Sequence, residues 1–394
     1  TEDLQPQTCG TNGTVPDESE LTEAVLNLSV NAFVVEAQAE TRASIPSGTP
    51  EKETPEEKEI HNIWVFQYDA ATKELLIKPR YYTITDQAML QDLPVYLKAG
   101  VPSVVYVVTN TGYDNWANDG TDASWQKFKQ LEQLKKQTLP TAFPLRSIDK
   151  VSIPMAGASE EVEVTTGITV TVPVTRMYAK LKVKVEMRKA EMELNNVNVR
   201  QIPNICRVET LAGDGKGEPM EPVPFPDETT FSSIAFAASD LEKNEDKEWA
   251  VFYVPENLQG ETQTQGGNKS DAAPSNALVV DITTEIGGER YLYAAYPGGN
   301  SLNNFNIQRN QVYRITVTIT GEKNQNNPSA NCFVVKPDGF LSFEPYYRVE
   351  TGGGYNFADY LSPHDENLKI ARVGIIWQTK DCIGDNTKGT QGQL

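Results

Sequence analysis

Hydrophobic and polar residues alternate along the segment Tyr178 to Met187. A period of two is typical of a β-strand with one face in a core and the other in water. Because this strand lies near the middle of the chain, after Pro173, we predict one β-sandwich before it and another after it. The predicted core face carries Ala179, Leu181, Val183, Val185 and Met187.

The same alternation occurs from Val25 to Val35, near the start of the chain. Its β-branched residues and its period of two favour a strand over a helix, so we predict the first strand here. Residues 1–21 are polar and are predicted to form a flexible leader. The apolar face of the predicted first strand carries Leu26, Leu28, Val30, Ala32 and Val34.

A polar tract separates this strand from the rest of the chain. Residues 46–59 are rich in proline, glutamate and lysine, so we expect the tract to stay exposed to proteases. Arg42 lies just before it and is the only arginine before Arg80. A single cut after Arg42 would separate the first strand from everything that follows.

Further apolar or alternating segments predict an all-β fold with one helix. The helix is predicted over residues 124–137, where Trp125, Phe128, Leu131 and Leu134 recur on one side and Ser124 can cap the first turn. We therefore predict an N-terminal sandwich over 22–175, a C-terminal sandwich over 176–321 and a β-rich extension over 322–394. The extension is too short for a core of its own, so it either docks on the second sandwich or begins a further domain.

Charge argues against a nucleic-acid partner, and hydropathy argues against a membrane-spanning helix. The chain has 394 residues with 54 acidic and 35 basic side chains, which gives a net charge of -19. Such a chain repels phosphate backbones, so we expect no nucleic-acid partner. No run of 18 apolar residues occurs, so no membrane-spanning helix is predicted.

The cysteines and histidines do not form a metal-binding pattern. The four cysteines lack a CxxC spacing, and the chain has only two histidines, so we expect no metal site. Two alternatives stay open for the thiols. Either Cys332 and Cys382, both in the last segment, form a disulfide, or the cysteines are buried free thiols.

Catalytic and cofactor motifs do not occur in the sequence, so we expect a protein that is not an enzyme and holds no cofactor. The acidic loop 114–122 departs from a calcium-binding loop, because Ala117 replaces an oxygen ligand and Gln126 replaces the closing glutamate. Four aromatic side chains could stack on a sugar if they are exposed. They are Trp116, Tyr346, Tyr347 and Trp377.

Seven short segments, in their order and spacing, resemble the fimbrillin family, the type V pilins on the surface of Bacteroides-like anaerobes. The resemblance covers roughly residues 22–321. The segments are Thr-Arg-Ala at 41–43, Ile-Trp-Val-Phe-Gln-Tyr at 63–68, Val-Tyr-Val-Val-Thr-Asn at 105–110, Ile-Pro-Met-Ala-Gly at 153–157, Val-Thr-Arg-Met-Tyr-Ala-Lys-Leu at 174–181, Phe-Tyr-Val-Pro-Glu-Asn at 252–257 and Tyr-Arg-Ile-Thr-Val-Thr-Ile at 313–319.

The resemblance implies a fold, a processing site and partners. In that family two transthyretin-like Greek-key sandwiches follow a lipoprotein leader, and an arginine-specific protease removes the first strand at the outer membrane. Carried over, the cut falls between Arg42 and Ala43, and the displaced strand is Val25 to Val35. Other pilin subunits are then the partners, because a strand from a neighbouring subunit fills the open groove of each one.

The extension from Asn331 onward resembles the C-terminal part of larger fimbrillin-like proteins. This favours a tip or accessory subunit, with a host glycan or protein as its ligand, over a shaft subunit. A tip subunit that keeps its first strand is one alternative. A carbohydrate-binding surface lipoprotein that does not polymerise is another.

Overall fold

The computed structural model describes residues 21–32, 34–35, 53–112, 114–121, 123–140, 153–187, 190–209, 220–238, 250–262, 269–299, 303–319, 333–337, 342–344, 374–376 and 391–393. The chain divides into two compact units, Thr1–Tyr346 and Tyr347–Leu394. In the second unit, strands β21 (Gly374–Ile376) and β22 (Gln391–Gln393) pair antiparallel.

The first unit contains twenty strands in its described part. Up to residue 176 they are β1 (Leu21–Val30), β2 (Val34–Val35), β3 (Asn62–Asp69), β4 (Arg80–Thr83), β5 (Leu93–Lys98), β6 (Pro102–Thr109), β7 (Thr138–Pro140), β8 (Met155–Ala158), β9 (Val162–Glu163) and β10 (Thr169–Arg176). After it they are β11 (Tyr178–Met187), β12 (Glu193–Pro203), β13 (Ile205–Arg207), β14 (Phe231–Ala237), β15 (Ala250–Pro255), β16 (Val279–Ile286), β17 (Glu289–Ala295), β18 (Gln311–Ile319), β19 (Phe333–Pro337) and β20 (Ser342–Glu344).

Helical segments are short in the described part of the chain. The α-helix α1 spans Leu131–Lys135, and four 3-10 turns span Pro55–Lys58, Gln87–Gln91, Trp125–Phe128 and Lys269–Ala272. None of these helices is long or apolar enough to cross a bilayer. The all-β class predicted from the alternating segments is confirmed.

The first sandwich is one sheet that folds back on itself. Its strand order is β4-β3-β6-β8-β10-β1-β5, and β9 also pairs with β6. Strand β10 pairs first with β1 and then, at Thr175 and Arg176, with β8. Apolar side chains from β1, β5 and β10 share one core with those of β3, β6 and β8, for example Leu26, Val95 and Val172 with Val65 and Val107.

Gly157 in β8 lies where β8 and β10 approach closely. A Cβ at this position would overlap the backbone carbonyl of Pro173 in β10. Pro173 itself lies within β10, beside the point at which that strand changes partners. A residue without a side chain is therefore required for the two strands to meet at this distance.

The second sandwich is built around β11, whose bounds coincide with the predicted strand Tyr178 to Met187. One sheet has the order β15-β11-β18-β19-β20, with β2 also paired to β18, and the other has the order β14-β12-β16-β17. Ala179, Leu181 and Val183 are buried in the core between them, as predicted.

A third apolar cluster joins the two sandwiches. It combines Trp64 and Tyr106 of the first with Tyr178, Tyr253 and Val312 of the second. Because of this cluster, both sandwiches belong to one compact unit. The domain boundary at 175/176 stays a prediction, although the chain passes from β10 to β11 at Met177.

The predicted helix over 124–137 is wrong as a continuous element. Its four apolar side chains are buried, but the chain forms a 3-10 turn and then α1. Between them Gln130 adopts an extended backbone and bridges to Glu74, and the amide of Leu131 donates to the carbonyl of Lys73 at 3.0 Å. Pairing with this distant segment therefore replaces helical hydrogen bonds. Ser124 makes no capping hydrogen bond; its hydroxyl donates to the carbonyl of Thr121 instead.

Strands β19 and β20, within the predicted extension, continue a sheet of the second sandwich. Strand β19 pairs antiparallel with β18, and β20 pairs with β19. Both alternatives for the extension stay predictions, since β19 and β20 extend a sheet of the second sandwich whereas β21 and β22 lie in the separate unit.

Candidate functional site

Strand β1 lies inside the first sandwich and not at its edge. Val25 to Val30 pair parallel with Thr169 to Val174 of β10. On the other side, Leu21 to Leu26 pair antiparallel with Lys98 to Leu93 of β5. Both hydrogen-bonding edges of β1 are thus occupied, and its loss would open the sheet between β5 and β10. We call the space occupied by β1 the β1 groove.

The inward face of β1 contributes to the core. Ala24 and Leu26 are fully buried and Leu28 is 2% exposed. They pack in the same cluster as Val95 of β5 and Val172 of β10. Removing β1 would therefore expose apolar side chains and unpaired backbone groups together.

The predicted first strand Val25 to Val35 is wrong at both ends. The observed strand starts at Leu21 and ends at Val30, where the half-buried side chain marks the edge of the core. Ala32 lies between strands, and Val34 belongs to β2, which pairs with β18 of the second sandwich. The predicted single strand is thus two strands in two sheets, joined by a crossing at Asn31 and Ala32.

Two polar side chains hold that crossing. Arg176 Nη1 donates to the carbonyl of Asn31 at 2.7 Å, and Asn310 Nδ2 donates to the carbonyl of Ala32 at 2.7 Å. The same Arg176 Nη1 lies 3.1 Å from Asn310 Oδ1, so the two side chains also bind each other. These hydrogen bonds end the β1 register and direct the chain towards β18.

Arg176 is fully buried and is fixed on its other side by residues 53–57. Its Nε donates to the carbonyl of Glu57 at 2.8 Å, and its Nη2 lies 2.8 Å from the carboxylate of Glu53. Burial lowers the pKa of Arg176, and the nearby Glu53 and Glu57 oppose that effect. The guanidinium therefore joins β1, β10 and the segment around residue 55.

Glu57 forms a second buried contact at this point. Its Oε1 accepts hydrogen bonds from Lys180 Nζ at 2.6 Å and from the hydroxyl of Tyr253 at 2.7 Å. Burial and the Glu57 carboxylate raise the pKa of Tyr253, so its hydroxyl stays a donor. We call the set Glu53, Glu57, Arg176, Lys180, Tyr253 and Asn310 the polar junction.

The sequence pattern did not find the polar junction. Alternation in β11 assigned Lys180 to solvent, yet it is 5% exposed because it pairs with Glu57. The one signal that could have found it is the segment at 174–181, which carries the family resemblance and contains both Arg176 and Lys180.

Several predicted site residues lie outside the described part of the chain. These are the processing residues Arg42 and Ala43 and the cysteines Cys332 and Cys382, so cleavage and the disulfide stay predictions. Cys206 is a buried free thiol, with its Sγ 3.8 Å from the Sδ of Met177.

The described aromatic and acidic candidates show no binding arrangement. Trp116 is half-buried and makes T-shaped contacts with Phe128 at 5.0 Å and Phe66 at 6.1 Å, so part of its ring packs against the core. Tyr346, Tyr347 and Trp377 lie outside the described residues. Within the described ranges, histidine, cysteine and acidic side chains form no group of three or more that could hold a metal ion.

Comparison with known proteins gives one family match and several similar structures. The family described as a domain of unknown function (DUF4906) matches residues 252–317, a segment from β15 to β18. None of the curated proteins matches the chain in sequence.

Three solved structures are similar over most of the chain. The tip fimbrial protein Mfa3 of Porphyromonas gingivalis is 13% identical with a TM-score of 0.46, and covers 80% of this chain and 98% of its own. A provisionally described cell adhesion protein of Bacteroides eggerthii is 16% identical with a TM-score of 0.47, and the match covers 83% of this chain and 98% of that protein. The fimbrial anchor protein Mfa2 of Porphyromonas gingivalis is 13% identical with a TM-score of 0.38, and the match covers 82% of this chain and 98% of that protein.

Proposed function

We propose that the chain is a structural and adhesive subunit of a cell-surface fimbria, of the fimbrillin kind, which assembles by strand exchange. The position of β1 is the single observation that carries this proposal. It is an inner strand with a buried apolar face, and the sequence between β2 and residue 53 contains one arginine, Arg42. Cleavage there would leave β1 without a covalent link to the rest of the sandwich.

The assembly step follows from strand chemistry. Without β1, the facing edges of β5 and β10 present unpaired amides and carbonyls beside an apolar groove. An extended segment of a second subunit satisfies both, which is recognition by strand addition. Contacts between a donor segment and a groove on different faces do not close, so they propagate as a filament.

The apolar face of β1 gives the scale of the stabilisation. Ala24, Leu26 and Leu28 are 0–2% exposed. Burying the two leucines at roughly 1.5–3 kcal/mol each, with a smaller amount for alanine, gives about 5 kcal/mol before the cost of ordering the segment. Backbone hydrogen bonds along both edges add to this value, so we expect slow dissociation.

We further propose a tip or accessory role and an outer-membrane lipoprotein precursor that is exported to the cell surface. The β19–β20 addition to the second sandwich supports the first point, because the resemblance associates such an extension with larger subunits. A host glycan or protein is the proposed ligand, and an arginine-specific protease is the proposed processing partner. The role is structural, and we expect no catalytic activity.

Limited digestion with an arginine-specific protease tests the proposal. The wild-type chain should be cut first after Arg42 and should then form oligomers on size-exclusion chromatography. The matched control Arg42→Lys keeps the charge but resists this protease, so it should stay uncut there and monomeric. A wild-type chain that is cut after Arg42 yet remains monomeric, with residues 1–42 bound, would contradict strand exchange.

A further inference from the structure

The polar junction places two donors on two consecutive backbone carbonyls of the segment that strand exchange would replace. Arg176 binds the carbonyl of Asn31 and Asn310 binds that of Ala32, both at 2.7 Å. These contacts involve no side chain of the bound strand. These two contacts therefore recognise the position of a backbone, whereas the Asn31 side chain makes its own hydrogen bond, from Nδ2 to the hydroxyl of Thr175 at 2.8 Å.

Both donors are held in place by groups outside β1. Asn310 has a φ of 58°, a left-handed conformation that asparagine tolerates well. Its backbone N–H donates to the carbonyl of Tyr178 at 2.8 Å. Its Oδ1 accepts from Arg176, which orients Nδ2 towards the crossing. Glu53 and the carbonyl of Glu57 fix Arg176 in turn.

The supporting groups all lie after Arg42 in the chain. A cut after Arg42 therefore removes the two carbonyls but keeps Glu53, Glu57, Arg176 and Asn310 in the same chain. Buried donors that lose an acceptor are costly, so the open groove favours a segment that supplies two carbonyls at this point.

We propose that Arg176 and Asn310 form a carbonyl clamp that sets the register of whichever strand occupies the β1 groove. The inference rests on the proposed strand exchange and names what the partner must present. The partner is an extended segment of a second fimbrial subunit, with two consecutive backbone carbonyls available where the strand leaves the first sandwich.

The clamp also constrains the side chains of that segment. A slip of one residue moves every side chain of a strand to the other face, so a fixed carbonyl decides which residues enter the core. In β1 the core positions Leu28, Leu26 and Ala24 lie three, five and seven residues before Asn31. The incoming segment should therefore carry apolar residues at these three spacings, with a small one at the last.

Hydrogen exchange on the intact chain tests the clamp without any exchange of strands. Asn310→Asp keeps the acceptor for Arg176 but turns an oxygen towards the carbonyl of Ala32. Amides of β1 should exchange about tenfold faster in this variant, while those of β3 keep their protection. The matched control is Asn118→Asp, because Asn118 Nδ2 donates to the carbonyl of Pro79 far from β1 in sequence. Equal protection of β1 in both variants would overturn the clamp.

Peptide displacement on the full chain cut after Arg42 tests its role towards a partner. Labelled peptides of residues 21–35 and 21–30 compete for the groove, and only the longer one carries the two carbonyls. The affinity ratio of the two peptides should fall about tenfold in Asn310→Gly, which keeps the left-handed backbone but removes the donor.

The outcomes separate the two levels of the proposal. An unchanged affinity ratio in Asn310→Gly would overturn the clamp and leave strand exchange standing. If neither peptide binds the cut chain, strand exchange itself is overturned, and with it the role of the clamp towards a partner. A reduced ratio supports both.

Discussion

Shortening Leu26 tests whether the core depends on β1. Leu26 is fully buried and lies between Val170 of β10 and Leu93 of β5 in the registers of the two pairings. Replacing a buried leucine by alanine lowers the free energy of unfolding by about 2–5 kcal/mol, because apolar burial is lost and a cavity is left behind. We expect Leu26→Ala to lower the free energy of unfolding by about 3 kcal/mol in the intact chain.

The same loss of stability should appear as faster dissociation of residues 1–42 once the chain is cut after Arg42. Residues 1–42 are then held only by non-covalent contacts, and most changes in affinity appear in the dissociation rate. A loss of about 3 kcal/mol corresponds to release of the segment about a hundredfold faster. Urea denaturation measures the first effect, and loss of a fluorescent label at the N-terminus measures the second.

A matched control is Leu292→Ala in β17, where the side chain is 53% exposed. This change should cost less than about 0.5 kcal/mol and should leave the release rate unchanged. If Leu26→Ala costs no more than the control, β1 does not contribute to the core as described. If stability falls but the segment leaves at the wild-type rate, burial in the groove does not govern its release.

Three further predictions concern other parts of the structure. Glu57→Gln and Lys180→Met should each destabilise the chain by about 3 kcal/mol in urea denaturation. The double variant should cost clearly less than the sum of the two, because both single changes disrupt the same buried ion pair. Glu132→Gln, at an exposed ion pair, is the control and should change stability by less than about 0.5 kcal/mol; additive costs for the buried pair would refute its coupling. Burial raises the pKa of Cys206 from 9.0 to about 12. The stability that depends on the protonated thiol is therefore fully present below pH 9 and is lost as the pH rises towards 12. The free energy of unfolding should fall more steeply in the wild type than in Cys206→Ala from about pH 9 to 11, and equal slopes would contradict this. Gly157→Ala should lower the melting temperature by several degrees, since a Cβ meets the β10 backbone, and an unchanged value would show that β10 can move aside.

The alternating pattern was sufficient to predict individual strands. It identified β11 with its observed bounds. This strand is an inner member of a sheet, and its apolar face is buried over most of its length. Where a strand has one face in a core, local periodicity is enough.

The pattern failed where distant contacts override local preference. The helical spacing from Trp125 to Leu134 places the right side chains in the core, but the pairing of Gln130 with Glu74 breaks the helix. The alternation through Ala32 and Val34 continues beyond the end of β1, because the pattern cannot show that Arg176 and Asn310 turn the chain into another sheet.

Buried charges are the feature that sequence reasoning handles least well. A lysine in an alternating strand is assigned to water, and nothing local reveals that Lys180 meets Glu57 from a segment more than a hundred residues earlier. The polar junction is therefore a result of the tertiary structure. The groove itself was expected from the first strand, but its end at Asn31 and the groups that define that end were not.

The most direct test of the account is the structure, by electron cryo-microscopy, of assemblies formed after cleavage at Arg42. The account predicts a strand from a neighbouring subunit between β5 and β10, with two of its carbonyls on Arg176 and Asn310. An assembly in which each subunit keeps its own β1 in that position would contradict it.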